Sequence, residues 1–499
     1  MPKKVRVRNA PSPTGFLHIG SIRTFLYNFL FARQAKGVYV LRIEDTDRER
    51  LVPGSIENIV QSLAQLGIAT DEGPYWENGE VKVRGDYGPY IQSERKDIYK
   101  QYALELVEKK AAYYCFCTPQ RLEELRKQQQ EHKLPPRYDK RCLNLTQDEI
   151  EKKISAGEKF VVRLNVPADK IITYNDHVHG KMEVHSKEVD DQVLLKSDGY
   201  PTYHLGVVVD DHLMEISHII RADEWIPSTP KHILLYEAFG WEKPEFVHLP
   251  PVLSKTTGKK MSKREGDVAV NDFLAKGYLP EAMINFLAFL GWNPKTEQEI
   301  FSMDELIQQF SLDKLNKAGA VFDMDKLDWF NGVYIRKMNI SELTDKCLPY
   351  LDQAGIDYKN SSREFLEKVI SLEQERLKKL SEIGERVKYF FSEPQYDPAI
   401  LVWKKSDKEA IKKSLELLKV FLPSFEFAGK DRQTIEVELK KFIVENNLKT
   451  GEVLWPLRVA LTGMEASPGP FEILETLGVL DNGKQILVNR INQALNLLN

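Results

Sequence analysis

Val5-Arg6-Val7-Arg8-Asn9-Ala10-Pro11-Ser12-Pro13-Thr14-Gly15-Phe16-Leu17-His18-Ile19-Gly20-Ser21 decides how this chain is read. The alternation of valine and arginine has the period of a strand, here placed at residues 5–9. A turn rich in proline and glycine follows. Beyond it, Ile22, Phe25, Leu26, Phe29 and Leu30 recur at helical spacing and predict a helix over about 20–36 with one buried face. Strand, tight turn and helix start bring backbone N–H groups and the positive end of a helix dipole to one point, which suits an anion. Gly20 removes side-chain bulk where a ligand approaches, and His18 supplies a donor. A second strand, Val38-Tyr39-Val40-Leu41-Arg42-Ile43, completes a β–α–β unit and implies a parallel sheet with a right-handed crossover.

A second segment far along the chain, Lys260-Met261-Ser262-Lys263-Arg264, carries three cations in five residues between Gly258 and Gly266. It reads as a loop. Lysine suits a loop that swings, because a compact charge needs no fixed fork. Taken alone, a histidine in a turn or a short basic cluster is more often just solvated surface. Taken together they are two phosphate-handling elements, and ATP is the simplest ligand that needs both.

The chain as a whole sets wide bounds. Its 499 residues call for several domains, each able to bury a core. A content of 42% hydrophobic and 29% charged residues is that of an ordinary globular protein. The net charge of −4 argues neither for nor against nucleic acid, which needs only local basic surfaces. Four cysteines form no disulfide framework and predict a reducing compartment. No apolar leader follows Met1-Pro2-Lys3-Lys4, and no apolar run reaches the ~20 residues that span a bilayer. The expectation is a cytoplasmic protein with no membrane partner.

The two segments resemble the HIGH and KMSKS motifs of class I aminoacyl-tRNA synthetases. With Arg42-Ile43-Glu44-Asp45-Thr46-Asp47, Tyr203, Asp210-Asp211-His212 and Leu457-Arg458-Val459-Ala460-Leu461-Thr462-Gly463, the chain is similar nearly end to end to bacterial-type glutamyl-tRNA synthetases. That resemblance implies a Rossmann-like α/β catalytic domain with an inserted α+β acceptor-binding domain, followed by an all-α anticodon-binding region. The expected boundaries are 1–83 and 196–250 for the split catalytic domain and 84–195 for the insertion, where alternating runs between 158 and 195 suggest antiparallel strands. Next come 251–325, a stem-contact region with the basic loop, then helical subdomains 326–395 and 396–499. Leu/Ile/Val stripes over 363–391 and 407–422 fit a helical bundle.

The implied reaction joins L-glutamate to tRNA(Glu) through glutamyl-adenylate, releasing AMP and pyrophosphate. It also implies Mg²⁺ with ATP, transfer to the 2′-hydroxyl, a need for the tRNA in activation, and a monomer. Matching family positions for glutamate are Arg8, Ala10, Ser12, Glu44, Tyr203 and Arg221; those for ATP are His18, Gly20, Glu224, Leu253 and the loop Lys260, Met261, Ser262, Lys263 and Arg264. The chemistry agrees: arginine matches a carboxylate bidentately, carboxyl ends of parallel strands bind ligands, and Glu44 suits an α-ammonium. Val207 and His204 stand where other members carry asparagine.

Cys115, Cys117 and Cys142 resemble the zinc knuckle of part of the family, but Asn144 replaces its histidine and His132 is the only nearby substitute, so a lost site without zinc is expected. Basic stretches Arg376-Leu377-Lys378-Lys379, Lys404-Lys405 and Lys412-Lys413 are candidates for phosphate contact. Two other readings remain: an enzyme that also charges tRNA(Gln), and a small-molecule nucleotidyltransferase or adenine-nucleotide-binding protein, which leaves the helical tail without a task. Lys263→Ala is expected to slow ATP–pyrophosphate exchange at least tenfold, since one aimed contact to developing charge is worth ~2.7–4 kcal/mol; a near-normal rate would assign the loop another role.

Overall fold

The computed structural model describes residues 4–261 and 269–499. Two compact units make up the chain, Met1–Leu274 with Pro280–Met324, and Ala275–Leu279 with Asp325–Asn499. In the first, strand β1 (Arg6–Asn9), helix α1 (Ile19–Gln34) and strand β2 (Val38–Leu41) form the expected unit, with β1 and β2 parallel and Arg8 opposite Val40. Helix α2 (Ser55–Gln65) follows, and Gly67 ends it at φ 72°. The pattern returns as helix α3 (Tyr203–Leu213), strand β3 (His218–Ala222), helix α4 (Thr229–Phe239) and strand β4 (Glu245–Leu249). Strands β3 and β4 are parallel, with Arg221 opposite His248. The halves join where the Ser217 N–H donates to the Arg6 carbonyl at 2.9 Å.

Helix α1 is buried almost all round rather than on one face. Ile19, Arg23, Tyr27, Asn28 and Ala32 are buried along with the predicted stripe. The cause is a second cover. The Tyr27 hydroxyl donates to the Ala288 carbonyl at 3.0 Å and Arg23 to the Leu290 carbonyl at 3.0 Å, while Asn28 donates to Ile220 of β3 at 3.1 Å. Helix α1 thus lies between the sheet and chain that arrives more than 250 residues later.

Between the halves, strands Ala112–Cys115, Val161–Leu164 and Val193–Leu195 form one antiparallel sheet, and Ile171–Asp176 with Gly180–His185 form a hairpin. That hairpin does not stay apart. Asp176 pairs in parallel with Phe246 of β4, so the insertion lends a strand to the sheet of the second half. Tyr174 and Phe246 seal the join, with ring centroids 5.7 Å apart.

In the second unit, no strand occurs among the described residues. The stripe at 363–391 is interrupted: helix Arg363–Gln374 stops, and Ile383–Val387 resumes after a 3₁₀ turn. Asn331 sits at the break: its amide donates to the Lys378 carbonyl at 2.6 Å, an acceptor that a continuous helix would keep for itself, and to the Gly277 carbonyl at 3.2 Å. The basic stretch Arg376–Lys379 is therefore not helical, and Arg376 is spent on Glu373 and the Ala466 carbonyl. Helices Lys408–Ser424 and Arg432–Glu445 start on the side-chain caps Asp407 and Asp431.

Candidate functional site

Arg8, one residue from the end of β1, and Arg221, one residue from the end of β3, line a single cavity of about 720 Å³. Glu44, Tyr203, Ala10 and Ser12 line it with them, as do His18, Gly20, Glu224, Lys260 and Met261. Leu253 is not among the lining residues; it forms a β-bridge with Lys260 and so returns that lysine to the cavity. Ser262, Lys263 and Arg264 lie outside the described residues. Both flanks of their segment nevertheless reach the site. The Met261 N–H donates to the Val252 carbonyl at 2.9 Å, and on the far side the Val270 N–H donates to the Leu17 carbonyl at 3.1 Å while Ala269 bridges His18. Lys260 itself pairs with Glu224.

His18 is also the N-cap of α1. Its Nδ1 accepts the Gly20 N–H at 2.9 Å, which leaves Nε2 as the donor. A Cβ at residue 20 would stand 3.1 Å from that Nδ1, so the glycine first of all admits the imidazole. One of the helix-start amides expected to face an anion is thereby already taken.

Charge is distributed unevenly around the cavity. Adjacent Asp210 and Asp211 near the end of α3 collect three arginines. Asp211 accepts from Arg8 Nε at 3.0 Å and from Arg42 Nη1 at 2.8 Å, and Asp210 accepts from Arg95 Nε at 2.7 Å. Tyr99 and Gln92 complete Asp210, at 2.8 and 2.9 Å. Arg42 is fully buried and also donates to Glu44 at 3.1 Å. Glu44 is the carboxylate poised to titrate: burial raises it to about 6, against the pull of Arg42 and Arg8. Asp211 is equally buried, yet Arg8 and Arg42 overcome that burial and hold it below the usual carboxylate range.

Arg221 is different. Among the described residues no carboxylate touches it. Its Nη1 donates to the Tyr203 hydroxyl at 3.0 Å, its Nη2 to Thr229 at 2.8 Å and its Nε to His248 at 3.0 Å. Trp225, another lining residue, packs on Tyr203 with centroids 4.2 Å apart.

Comparison with known proteins agrees with this arrangement. Residues 4–329 match the family "tRNA synthetases class I (E and Q), catalytic domain", and residues 342–495 match the family "Anticodon binding domain". The chain is 46% identical over 483 residues to the glutamate–tRNA ligase of Alkaliphilus metalliredigens (strain QYMF), covering 95% of this chain and 97% of that protein. It is 43% identical to that of Clostridioides difficile (strain 630), covering 99% of each. A crystal structure of a glutamate tRNA ligase from Elizabethkingia meningosepticum CCUG26117, in complex with its amino acid, superposes with a TM-score of 0.88 at 36% identity, covering 100% of both chains. The chain belongs to the glutamate–tRNA ligase family of class I tRNA synthetases.

Sequence reasoning left without a role some residues that line the cavity, Arg23, Arg50 and Trp225 among them, and the residues that support it from behind. Arg42 and the Asp210–Asp211 pair stood in the sequence as parts of motifs only. Their signal was weak but real: an arginine within an apolar strand needs a buried anion.

Outside the cavity, Cys115, Cys117 and Cys142 do converge, with their sulfurs all within 4.8 Å of one another. His132 takes no part; its ring faces the Gln128 carbonyl at 2.7 Å. Instead the Tyr138 hydroxyl lies 3.4 Å from Cys115 and 3.3 Å from Cys117. A hydrogen bond from Cys142 holds Cys115 down at about 4 against its burial. The groups that converge there are three thiols, with the Tyr138 hydroxyl as their hydrogen-bond partner. Among the described residues, no helix is long and apolar enough to cross a membrane.

Two outcomes are expected here. Asp211→Ala leaves the buried Arg8 without its carboxylate and removes one of the partners of Arg42, and is expected to lower stability by about 3–5 kcal/mol in urea unfolding. If Glu44 must be ionised to hold an ammonium, kcat/KM for glutamate falls as pH drops through about 6, because protonation removes the acceptor. Glu44→Gln should then lower activity and flatten that step; an unchanged pH profile would release Glu44 from the role.

Proposed function

We infer that this chain activates L-glutamate with ATP, which enters as its magnesium complex, and ligates the glutamyl group to tRNA(Glu). The observation that carries the substrate assignment is the contrast between the arginines. Arg8, Arg42 and Arg95 have carboxylates of the protein; among the described residues, Arg221 has none in contact. The side-chain carboxylate of glutamate then lies between the Arg8 guanidinium, whose Nε alone is held by Asp211, and the Arg221–Tyr203 pair. Glutamine in the same place leaves the Arg221 charge buried without an anion, which is the costly mismatch. Glu44 receives the α-ammonium.

In the first step an oxygen of the α-carboxylate attacks the α-phosphorus. The bond to the β-phosphate oxygen breaks and pyrophosphate leaves with that electron pair. Two anions must approach, so the protein's task is alignment and charge neutralisation. His18 Nε2–H and Lys260 serve the phosphates from segments far apart in the chain, and Lys260 first has to part from Glu224. In the second step a hydroxyl of the tRNA's terminal ribose attacks the glutamyl carbonyl, and AMP departs. The domain plan supports this reading: residues 84–195 for the acceptor end, 251–325 for the stem, 326–395 and 396–499 for the anticodon. A monomer in the cytoplasm is the setting we infer.

Charging a mixed tRNA pool with labelled glutamate and identifying the products tests the assignment. Glutamate on tRNA(Glu) is expected. Labelled glutamate also on tRNA(Gln) would establish the wider specificity, and no charged tRNA at all would favour a small-molecule nucleotidyltransferase. Arg221→Ala should raise the glutamate KM at least tenfold with the ATP KM nearly unchanged, as loss of a ~1.5–3 kcal/mol charged hydrogen-bond contact requires.

A further inference from the structure

Behind Arg221, on the side away from the cavity, lies a buried relay that reaches into the insertion. The Asp176 carboxylate ends the inserted strand Ile171–Asp176. Its Oδ1 accepts the Val178 and His179 N–H groups, both at 2.9 Å. Its Oδ2 accepts the His248 backbone N–H at 3.1 Å and lies 2.7 Å from His248 Nδ1. His248, on β4 and fully buried, faces Arg221 with its other nitrogen. Neither Asp176 nor His248 is among the residues that line the cavity.

We propose that Asp176 and His248 are positioning residues that fix the Arg221 guanidinium toward the substrate carboxylate without neutralising it by contact. The proposal rests on the reading of Arg221 as the group that recognises the side chain of glutamate.

The tautomer follows from the partners. A carboxylate at Nδ1 keeps the proton there, so Nε2 is an acceptor and takes the Arg221 Nε–H. Burial favours the neutral ring, and so does the Arg221 charge, while Asp176 pulls the other way; His248 ends below the usual imidazole range. A carboxylate placed directly on Arg221 would also orient it. It would, however, occupy the charge that has to attract glutamate. An imidazole between the two supplies direction through a hydrogen bond and keeps the anion one ring away. His232 repeats the device on Nη1 at 3.4 Å, with His204 behind it at 3.2 Å. Both rings are pushed far down by burial, His204 to about 3, and so remain acceptors beside a cation.

The experiment compares His248→Phe, which keeps a flat ring but deletes the acceptor, with Asp176→Asn, which favours the wrong tautomer. Each is expected to raise the glutamate KM about tenfold, as expected for one lost hydrogen bond to a charged group. The ATP KM should stay within about twofold. His248→Gln, whose amide oxygen can accept from Arg221, should recover part of the loss. In an Arg221→Ala background, neither His248→Phe nor Asp176→Asn should raise the KM further. Unchanged glutamate KM in both single variants, equal damage to glutamate and ATP, or full additivity with Arg221→Ala would each overturn the relay. Should Arg221→Ala itself leave the glutamate KM unaltered, the underlying assignment fails, a distinct result. Thermal unfolding of each variant identifies any that do not fold. If His248→Phe is lost in that way, Asp176→Asn, which preserves shape, decides alone.

Discussion

A guanidinium taken out of water must find an anion or enough acceptors to replace its hydration, and the buried arginines in and behind the cavity meet this demand in two ways. Arg8, Arg42 and Arg95 are held by Asp210 and Asp211, side by side near the end of one helix. Among the described residues, Arg221 is held by neutral groups, a tyrosine, a threonine and imidazoles, as Arg23 is by the Leu290 and Pro250 carbonyls. Everything distinctive about the site follows from that division. Arg42 and Arg95 serve as structure, whereas Arg8 and Arg221 also line the cavity.

Neighbouring positions on a helix point roughly 100° apart, so two consecutive aspartates can serve different partners. Asp211 ties β1 and the residue after β2 together through Arg8 and Arg42, and Asp210 reaches the segment entering the insertion through Arg95. The same helix begins with Tyr203, which touches Arg221. One helix thus fixes the neutralised arginines at one end and meets the open one at the other.

Much of the site was legible beforehand because several lining residues belong to motifs whose chemistry is local. Arg8 and Arg221 stand at strand ends, His18 and Gly20 at a helix start, and Lys260 in a basic loop; all five face one cavity. The supports were not legible in the same way. Nothing near Asp176 in sequence indicates that its partner is His248, and nothing near Tyr27 indicates that Ala288 will cover it. The thiol cluster shows the same limit, for the sequence offered His132 or Asn144 beside the cysteines, whereas chain folding brings Tyr138.

Periodicity, turn residues and short motifs determined the β–α–β units, the helical second half and the identity of several side chains that line the cavity, since those depend on residues within a few positions of one another. Tertiary structure alone decided which arginines are neutralised, that α1 is covered on both sides and that the insertion's hairpin completes the catalytic sheet. These are pairings over tens to hundreds of residues, set by where buried charge can find a partner, and no local pattern encodes such a distance.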